Sequence, residues 1–494
     1  MLDQATGPAQ QAELKTIEMT DEAPKAESFM TGVSAYALSA DAKKIFVLKE
    51  GDTHDMYILE AAAKAPDDLA PGTVRVADWT LPVSPQAEWQ QIFVDAWRMH
   101  RQFSFDPDMR GLDWDAVREK YEPLLDRVTD RWELNDLLGQ MIGELNILHS
   151  QVRSRDLPSD PEVAKPSSLA AEFKRTKEGL QITHIYRYDP ELPAQNGPLL
   201  QPGIGVTTGD VITAVNGKTI RTKADLANAL EQQAGQQVLL DTLRGKIRHT
   251  AIVTPVTMDD AARLRYLDWV QKSATKVAER SDGRIGYLHL SAMGSQDIDN
   301  FAREFYANYD REGLILDVRS NRGGNIDSWV IEKLLRQVWM HWQSAGGRPA
   351  QENMQQTFRG HLAVLIDQFT YSDGETFAAG IKSLDIGPLI GTTTAGAGVW
   401  LSDRNSLSDG GIARIAEYAQ FDTEGRWLIE GRGIDPDIEV DNLPGAAYRG
   451  EDQQLDTAID YLNDKLTREP VPKLEGQLEF SLDERGDAID PIDR

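Results

Sequence analysis

Cysteine is absent from all 494 residues, which excludes disulfides, thiolate metal sites and a cysteine nucleophile together. Positive charge is scarce: 52 Lys and Arg stand against 79 Asp and Glu, a formal net charge of −27. A surface that acidic repels phosphate backbones and anionic lipid, so neither nucleic acid nor a membrane is expected as a partner. No run approaches the roughly 18 apolar residues of a membrane-spanning helix. The opening MLDQATGPAQQAELK lacks the basic start and apolar stretch of a secretory signal. On that ground a cytoplasmic location is expected, with a periplasmic one left open if the true start lies upstream. HExxH, an EF-hand loop and a Gly-x-x-x-x-Gly-Lys phosphate loop are also missing, so no metal and no cofactor are expected.

The chain is 40% hydrophobic and 27% charged, a globular composition, and its length suits two to four domains. Residues 1–28 are polar and aperiodic, which predicts a flexible lead-in. Residues 29–80 contain three short strand patterns, 33–38, 44–49 and 55–59, with a linker after them. In residues 81–165 apolar side chains recur three and four apart (EWQQIFVDAWRMHRQF, DRWELNDLLGQMIGEL), which predicts a helical subdomain. Residues 168–257 alternate strand and turn signals around one short helix. Residues 258–475 alternate strands with helices, the pattern of an α/β layer with mainly parallel strands. The acidic residues 476–494 read as a loose tail.

Two turns in the α/β segment carry candidate chemistry. The apolar strand 314–318 runs into Arg319-Ser320-Asn321-Arg322-Gly323-Gly324. Paired glycines let backbone N–H groups approach an anion or a developing oxyanion, although glycine turns after strands also occur simply as turns. The strand HLAVLID leads to Thr370-Tyr371-Ser372-Asp373-Gly374-Glu375 and then a helix. A serine there is either an exposed nucleophile or a helix cap. Glu375, three residues on, completes a capping-box pattern.

The run Pro202-Gly203 … Gly209-Asp210-Val211-Ile212 … Val215-Asn216-Gly217 resembles the PDZ family as found inside processing proteases. A PDZ module takes an extended chain between strand and helix. With it, LDVRSNRGG, TYSDGE, IGTTTAG and IEGRGIDPDIEV resemble the tail-specific and tricorn-type serine peptidases (family S41) over most of residues 85–475. The resemblance implies a multidomain α/β protein with a crotonase-like layered core, and β-propellers ahead of the helical subdomain. The strands at residues 33–59 would be a propeller remnant. It further implies Ser372 as nucleophile, Glu430 as the acid, and an oxyanion hole of the Asp373 N–H with that of Gly323 or, as the alternative, Gly324. Ala397 stands where the Ser–Lys branch has its lysine and cannot take a proton. The tricorn branch instead uses a histidine, which falls on His149 among the chain's eight histidines. Leu148 replaces a serine that in archaeal members links histidine to glutamate. No carboxylate occupies Val338-Trp339-Met340-His341-Trp342, so an apolar rather than acid-lined specificity pocket is expected there. The implied substrate is a peptide or unfolded polypeptide, hydrolysed through an acyl-enzyme. A binding protein without turnover is the alternative, and a homo-oligomer is expected from the family's assemblies.

Overall fold

The computed structural model describes residues 2–3, 12–18, 25–50, 55–76, 79–80, 82–154, 165–187, 192, 195–343, 350–403 and 405–472. The predicted acidic tail lies outside the described residues. The chain divides into two units, residues 1–85 and 86–494.

The first unit holds two antiparallel three-stranded sheets. One contains Leu2–Asp3, Glu13–Ile17 and Ala26–Thr31; the other contains Val33–Leu38, Lys44–Lys49 and Met56–Glu60. The strand Glu13–Ile17 falls where the sequence predicted an aperiodic lead-in. It forms because Leu14 is buried opposite Met30 across the ladder, in one cluster with Phe29, Val33, Val47 and Leu59. One well-placed apolar residue was enough to fix a register that its polar neighbours hid.

The second unit begins with the helical segment: Pro85–Phe103, Trp114–Tyr121 and Arg131–Gly143. Asp113 and Asp130 cap the latter two helices by accepting from the N–H of Ala116 and of Glu133. Their apolar faces bury Phe93, Trp114, Leu134, Leu138 and Met141, and the same cluster takes in Val399, Leu407, Ala413 and Ala416 from the far end of the chain. The strand Gln151–Arg153 then pairs antiparallel with Ile412–Tyr418, which also pairs with Trp400–Ser402. The residues just before that strand are thereby fixed against the α/β segment.

A small β module follows. Its strands Ala171–Arg175, Leu180–Ile185, Val211–Val215, Val238–Arg244 and Ile247–Val253 form one antiparallel sheet around the helix Lys223–Leu230. The pairing of Ser167–Ser168 with Val256–Thr257 ties its two ends together.

The helix Met258–Arg280 leads into a five-stranded, all-parallel sheet in sequential order: Ile285–His289, Gly313–Asp317, His361–Ile366, Leu389–Gly391 and Ile438–Glu439. Leu314, Ile315, Leu316, Val364 and Leu365 are all fully buried, as parallel strands covered on both faces require. Helices Ser295–Asn308, Asp327–Leu334, Asp373–Ser383 and Gln453–Arg468 complete the layers. The glycine turn and the serine turn follow the second and third strands, which are hydrogen-bonded neighbours. Both turns therefore meet at the carboxyl edge of the sheet, where ligands of parallel α/β sheets sit.

Candidate active site

Ser372 precedes the helix Asp373–Ser383 with φ 57° and ψ −120°, a conformation non-glycine residues rarely adopt. Its hydroxyl makes no capping bond with the helix. The rival reading of this serine as a cap is thus realised only by Glu375, whose Oε2 accepts from the Ser372 N–H at 3.0 Å. Glu375 is fully buried and accepts three further bonds: from Thr394 Oγ1 at 2.7 Å, and from the N–H groups of Gly396 at 2.6 Å and Ala397 at 2.8 Å. One carboxylate thereby joins the serine turn to the loop after the fourth strand. Burial raises its pKa and these four donors oppose the rise. The sequence pattern marked Glu375 as a cap residue but gave no sign of this brace.

The glycine turn lies directly against the serine. A Cβ at Gly323 would stand 2.5 Å from Ser372 Cβ, 2.9 Å from Ser372 Oγ and 3.2 Å from the Asp373 nitrogen. Only glycine leaves that space open, and its φ of 82° also favours glycine. The Gly323 N–H, however, donates to Asn321 Oδ1 at 2.8 Å, while Asn321 Nδ2 donates to the Leu290 carbonyl at 2.7 Å. The preferred oxyanion donor of the sequence reading is thus already engaged. The N–H groups of Gly324, its alternative, and of Asp373 have no partner among the described residues. Gly324 cannot carry a side chain either, because a Cβ there would fall 1.8 Å from the Met293 carbonyl oxygen.

His149 is buried, with its ring 4.8 Å from that of Tyr371, the residue before the serine. Tyr371 is held by its N–H to the Asn321 carbonyl at 2.8 Å and by its hydroxyl to the Leu148 carbonyl at 3.4 Å. Burial, and then the nearby Arg414 charge, hold the His149 pKa down at about 4. Glu430 Oε2 accepts from the N–H groups of Gly398 and Val399, each at 2.9 Å. Val399 also presents its backbone to the imidazole. His149 Nδ1 and Glu430 Oε1 are both buried and both lack a partner. Among the described residues no hydrogen bond joins His149 to Ser372 or to Glu430. Leu148 is 51% exposed, so its side chain does not fill the buried space beside His149 Nδ1.

The apolar segment proposed for specificity is not an enclosed pocket. His341–Trp342 pairs with Gln351–Glu352, and Trp339 and Trp342 are 72% and 61% exposed. The hairpin brings Glu352 across from His341, a carboxylate distant in sequence, but it is paired with Arg359 at 3.2 Å.

A serine on a strained strand-to-helix turn, facing a glycine turn with free amides, is the site of a serine-type hydrolase on a parallel α/β sheet. Residues 284–440 match the model of peptidase family S41, residues 85–143 that of the tricorn protease C1 domain, and residues 167–258 that of the tricorn protease PDZ domain. The chain belongs to the tricorn-type serine peptidases of family S41. Tricorn protease homolog 1 of Streptomyces coelicolor is 34% identical over 429 residues, which covers 86% of this chain and 40% of that protein. The tricorn protease of Thermoplasma acidophilum is 29% identical over 431 residues, or 87% of this chain and 39% of that one. A crystal structure of the tricorn protease superposes with a TM-score of 0.81 at 26% identity, over 90% of this chain and 42% of the other. The chain thus spans about two fifths of the length of these relatives.

Proposed function

We propose that the protein is a serine endopeptidase or oligopeptidase acting on peptides or unfolded chains through an acyl-enzyme. Ser372 Oγ attacks the substrate carbonyl while His149 takes its proton. The N–H groups of Asp373 and Gly324 hold the oxyanion. His149 then protonates the leaving amine, and water, deprotonated by the same imidazole, hydrolyses the ester. Glu430 orients the imidazole by accepting its Nδ1–H on Oε1. What supports this most is the Ser372 hydroxyl, which is left uncapped on a strained turn beside two unoccupied amides. Catalytic hydrogen bonds are often long before substrate binds, so a modest closure around Tyr371 is enough to engage His149. On the same reading the core layers are crotonase-like, and the strands within residues 29–80 are the remnant of a β-propeller. The working form is a homo-oligomer.

A fluorophosphonate probe tests this reading, because it reacts only with an activated serine and expels fluoride. Labelling of the parent that is lost in Ser372→Ala and reduced at least 100-fold or so in His149→Ala is the expected result. The second reading, a peptide-binding protein without turnover, draws on the missing His149–Ser372 bond. It predicts no labelling of a folded parent that still binds peptide.

A further inference from the structure

Behind the oxyanion side of the site lies a second acid that the mechanism above does not use. The Asp373 side chain is fully buried and reaches the start of the helix Asp327–Leu334. Its Oδ2 accepts from the N–H groups of Ile326 at 2.8 Å and Asp327 at 3.1 Å. Its Oδ1 is buried with no donor, and what faces it is the Asp327 carboxyl, itself only 8% exposed. Ile326, Val330, Phe377 and Ala378 pack in the same cluster around the two helices. Two carboxylates cannot both stay ionised in contact there; a single proton between them turns the repulsion into a hydrogen bond.

Among the described residues no other charge neutralises the pair. On Asp373's own helix, Glu375 is taken up by its four donors, and Lys382 reaches the Asp435 carbonyl and Asp437. On the facing helix, Lys333 lies over the Trp329 ring and Glu332 faces Arg336. Arg322 of the glycine turn acts on Tyr266, Asp367 accepts from Ser320, and His149 stacks on Tyr371.

We propose that Asp327 and Asp373 share one proton, and that this proton holds the Asp373 N–H in position as an oxyanion donor, so that losing it ends activity on the alkaline side. The proposal rests on the peptidase reading above and makes Asp327 a positioning residue. When the proton leaves, two negative charges repel across the helix pair. The side chain that moves belongs to the residue whose backbone N–H must receive the oxyanion, and the added charge disfavours that oxyanion directly. Burial, then the Asp327 charge, push the Asp373 carboxyl up to about 7, which places this loss near neutrality. With the His149 limb near 4, labelling and hydrolysis are greatest in weak acid.

Asp327→Asn supplies an amide N–H in place of the shared proton, and so does Asp373→Asn from the other side. Each guards against the other failing to fold. Fluorophosphonate labelling is followed from pH 4 to 9 in the parent and both variants, with urea unfolding of each at the same pH values. The parent is expected to lose labelling about tenfold per pH unit above neutrality, while folded Asp327→Asn keeps it; Asp373→Asn, at the oxyanion donor itself, is judged by its unfolding curve. The parent's unfolding constant is expected to rise about 50-fold relative to that of either Asn variant between pH 5 and 7. An alkaline limb that persists in folded Asp327→Asn overturns the proposal. Absence of labelling at every pH overturns the peptidase reading and with it the catalytic half of the inference. The unfolding curves then still decide the shared proton: parallel curves refute it.

Discussion

Gly323 presents a hydrogen where any other residue would set a methyl group 2.9 Å from Ser372 Oγ. Gly323→Ala is therefore expected to lower fluorophosphonate labelling by about 100-fold or more, because the added carbon occupies the space of the attacked carbonyl. Circular dichroism should show the fold retained. Glu375 is the opposite case, a side chain whose value lies in its reach. Glu375→Gln turns an N–H₂ group towards two of four N–H or O–H donors, leaving buried groups unpaired at a cost of about 2–4 kcal/mol. A lowered melting temperature together with slower labelling is the expected outcome, and an unchanged melting temperature would refute the brace. At His149 the depressed pKa of about 4 means a neutral imidazole throughout weak acid. Labelling at pH 5 should therefore match that at pH 6.5, where an ordinary histidine would already be largely protonated at the lower value. A limb centred near 6.5 would contradict the burial of this ring.

At the scale of elements, His149, the proposed base, is held beside Tyr371 because a helix and a strand from the front of the second unit dock on strands from its back. Arg131 Nε meets Asp409 Oδ2 at 2.7 Å, with the two side chains 9% and 10% exposed. Arg131 also donates to Asn135 Oδ1 at 2.6 Å, and Asn135 Nδ2 to Ser154 Oγ at 3.0 Å. This clamp lies beside the pairing of Gln151–Arg153 with Ile412–Tyr418, two residues beyond His149. Asp409→Ala leaves a buried guanidinium without its carboxylate, which costs about 3–5 kcal/mol. Hydrogen exchange should speed up at residues 149–153, and labelling should fall although no group near Ser372 has changed. Replacing both partners with apolar residues of similar volume should recover most of the stability. If Asp409→Ala leaves exchange at residues 149–153 unchanged, the clamp does not position His149.

For the whole molecule, buried titratable groups pull the pH dependence of stability in opposite directions. His100 donates Nδ1–H to the Ala96 carbonyl at 2.8 Å, while its Nε2 is buried without a partner, and burial lowers its pKa to about 4. The unfolded chain binds that proton more readily. The His100 contribution is thus full above about pH 6.5 and lost as pH falls towards 4, on the order of 3 kcal/mol in total. Asp373, raised to about 7, works the other way: its contribution is full below about pH 4 and lost as pH rises to about 7. His149, also held at about 4, adds to His100, so the two histidines outweigh Asp373 and the parent's stability should rise with pH over this window. Asp327→Asn should steepen that rise and His100→Gln should nearly flatten it, both readable in urea unfolding. The net charge of −27 adds self-repulsion that moderate salt should relieve.

The sequence by itself determined what depends on neighbours along the chain. Periodicity gave the helices of residues 85–143 and the alternation of strands and helices beyond 258. Glycines and turn residues placed Ser372 and Gly323-Gly324 at strand ends, and family motifs singled out His149 and Glu430. It misread Glu13–Ile17 because a strand held by one buried leucine has no visible alternation. Only the tertiary structure decided which groups are free to react. Asn321 takes the Gly323 N–H and leaves that of Gly324, and Glu375 takes the Ser372 N–H and leaves the hydroxyl uncapped. Asp327 meets Asp373 from another helix. The freedom of a donor, the burial of a carboxyl and the company of an imidazole are set by groups tens to hundreds of residues away. Local pattern carries no record of them, because the same N–H or carboxylate is written identically whether or not a distant partner has claimed it.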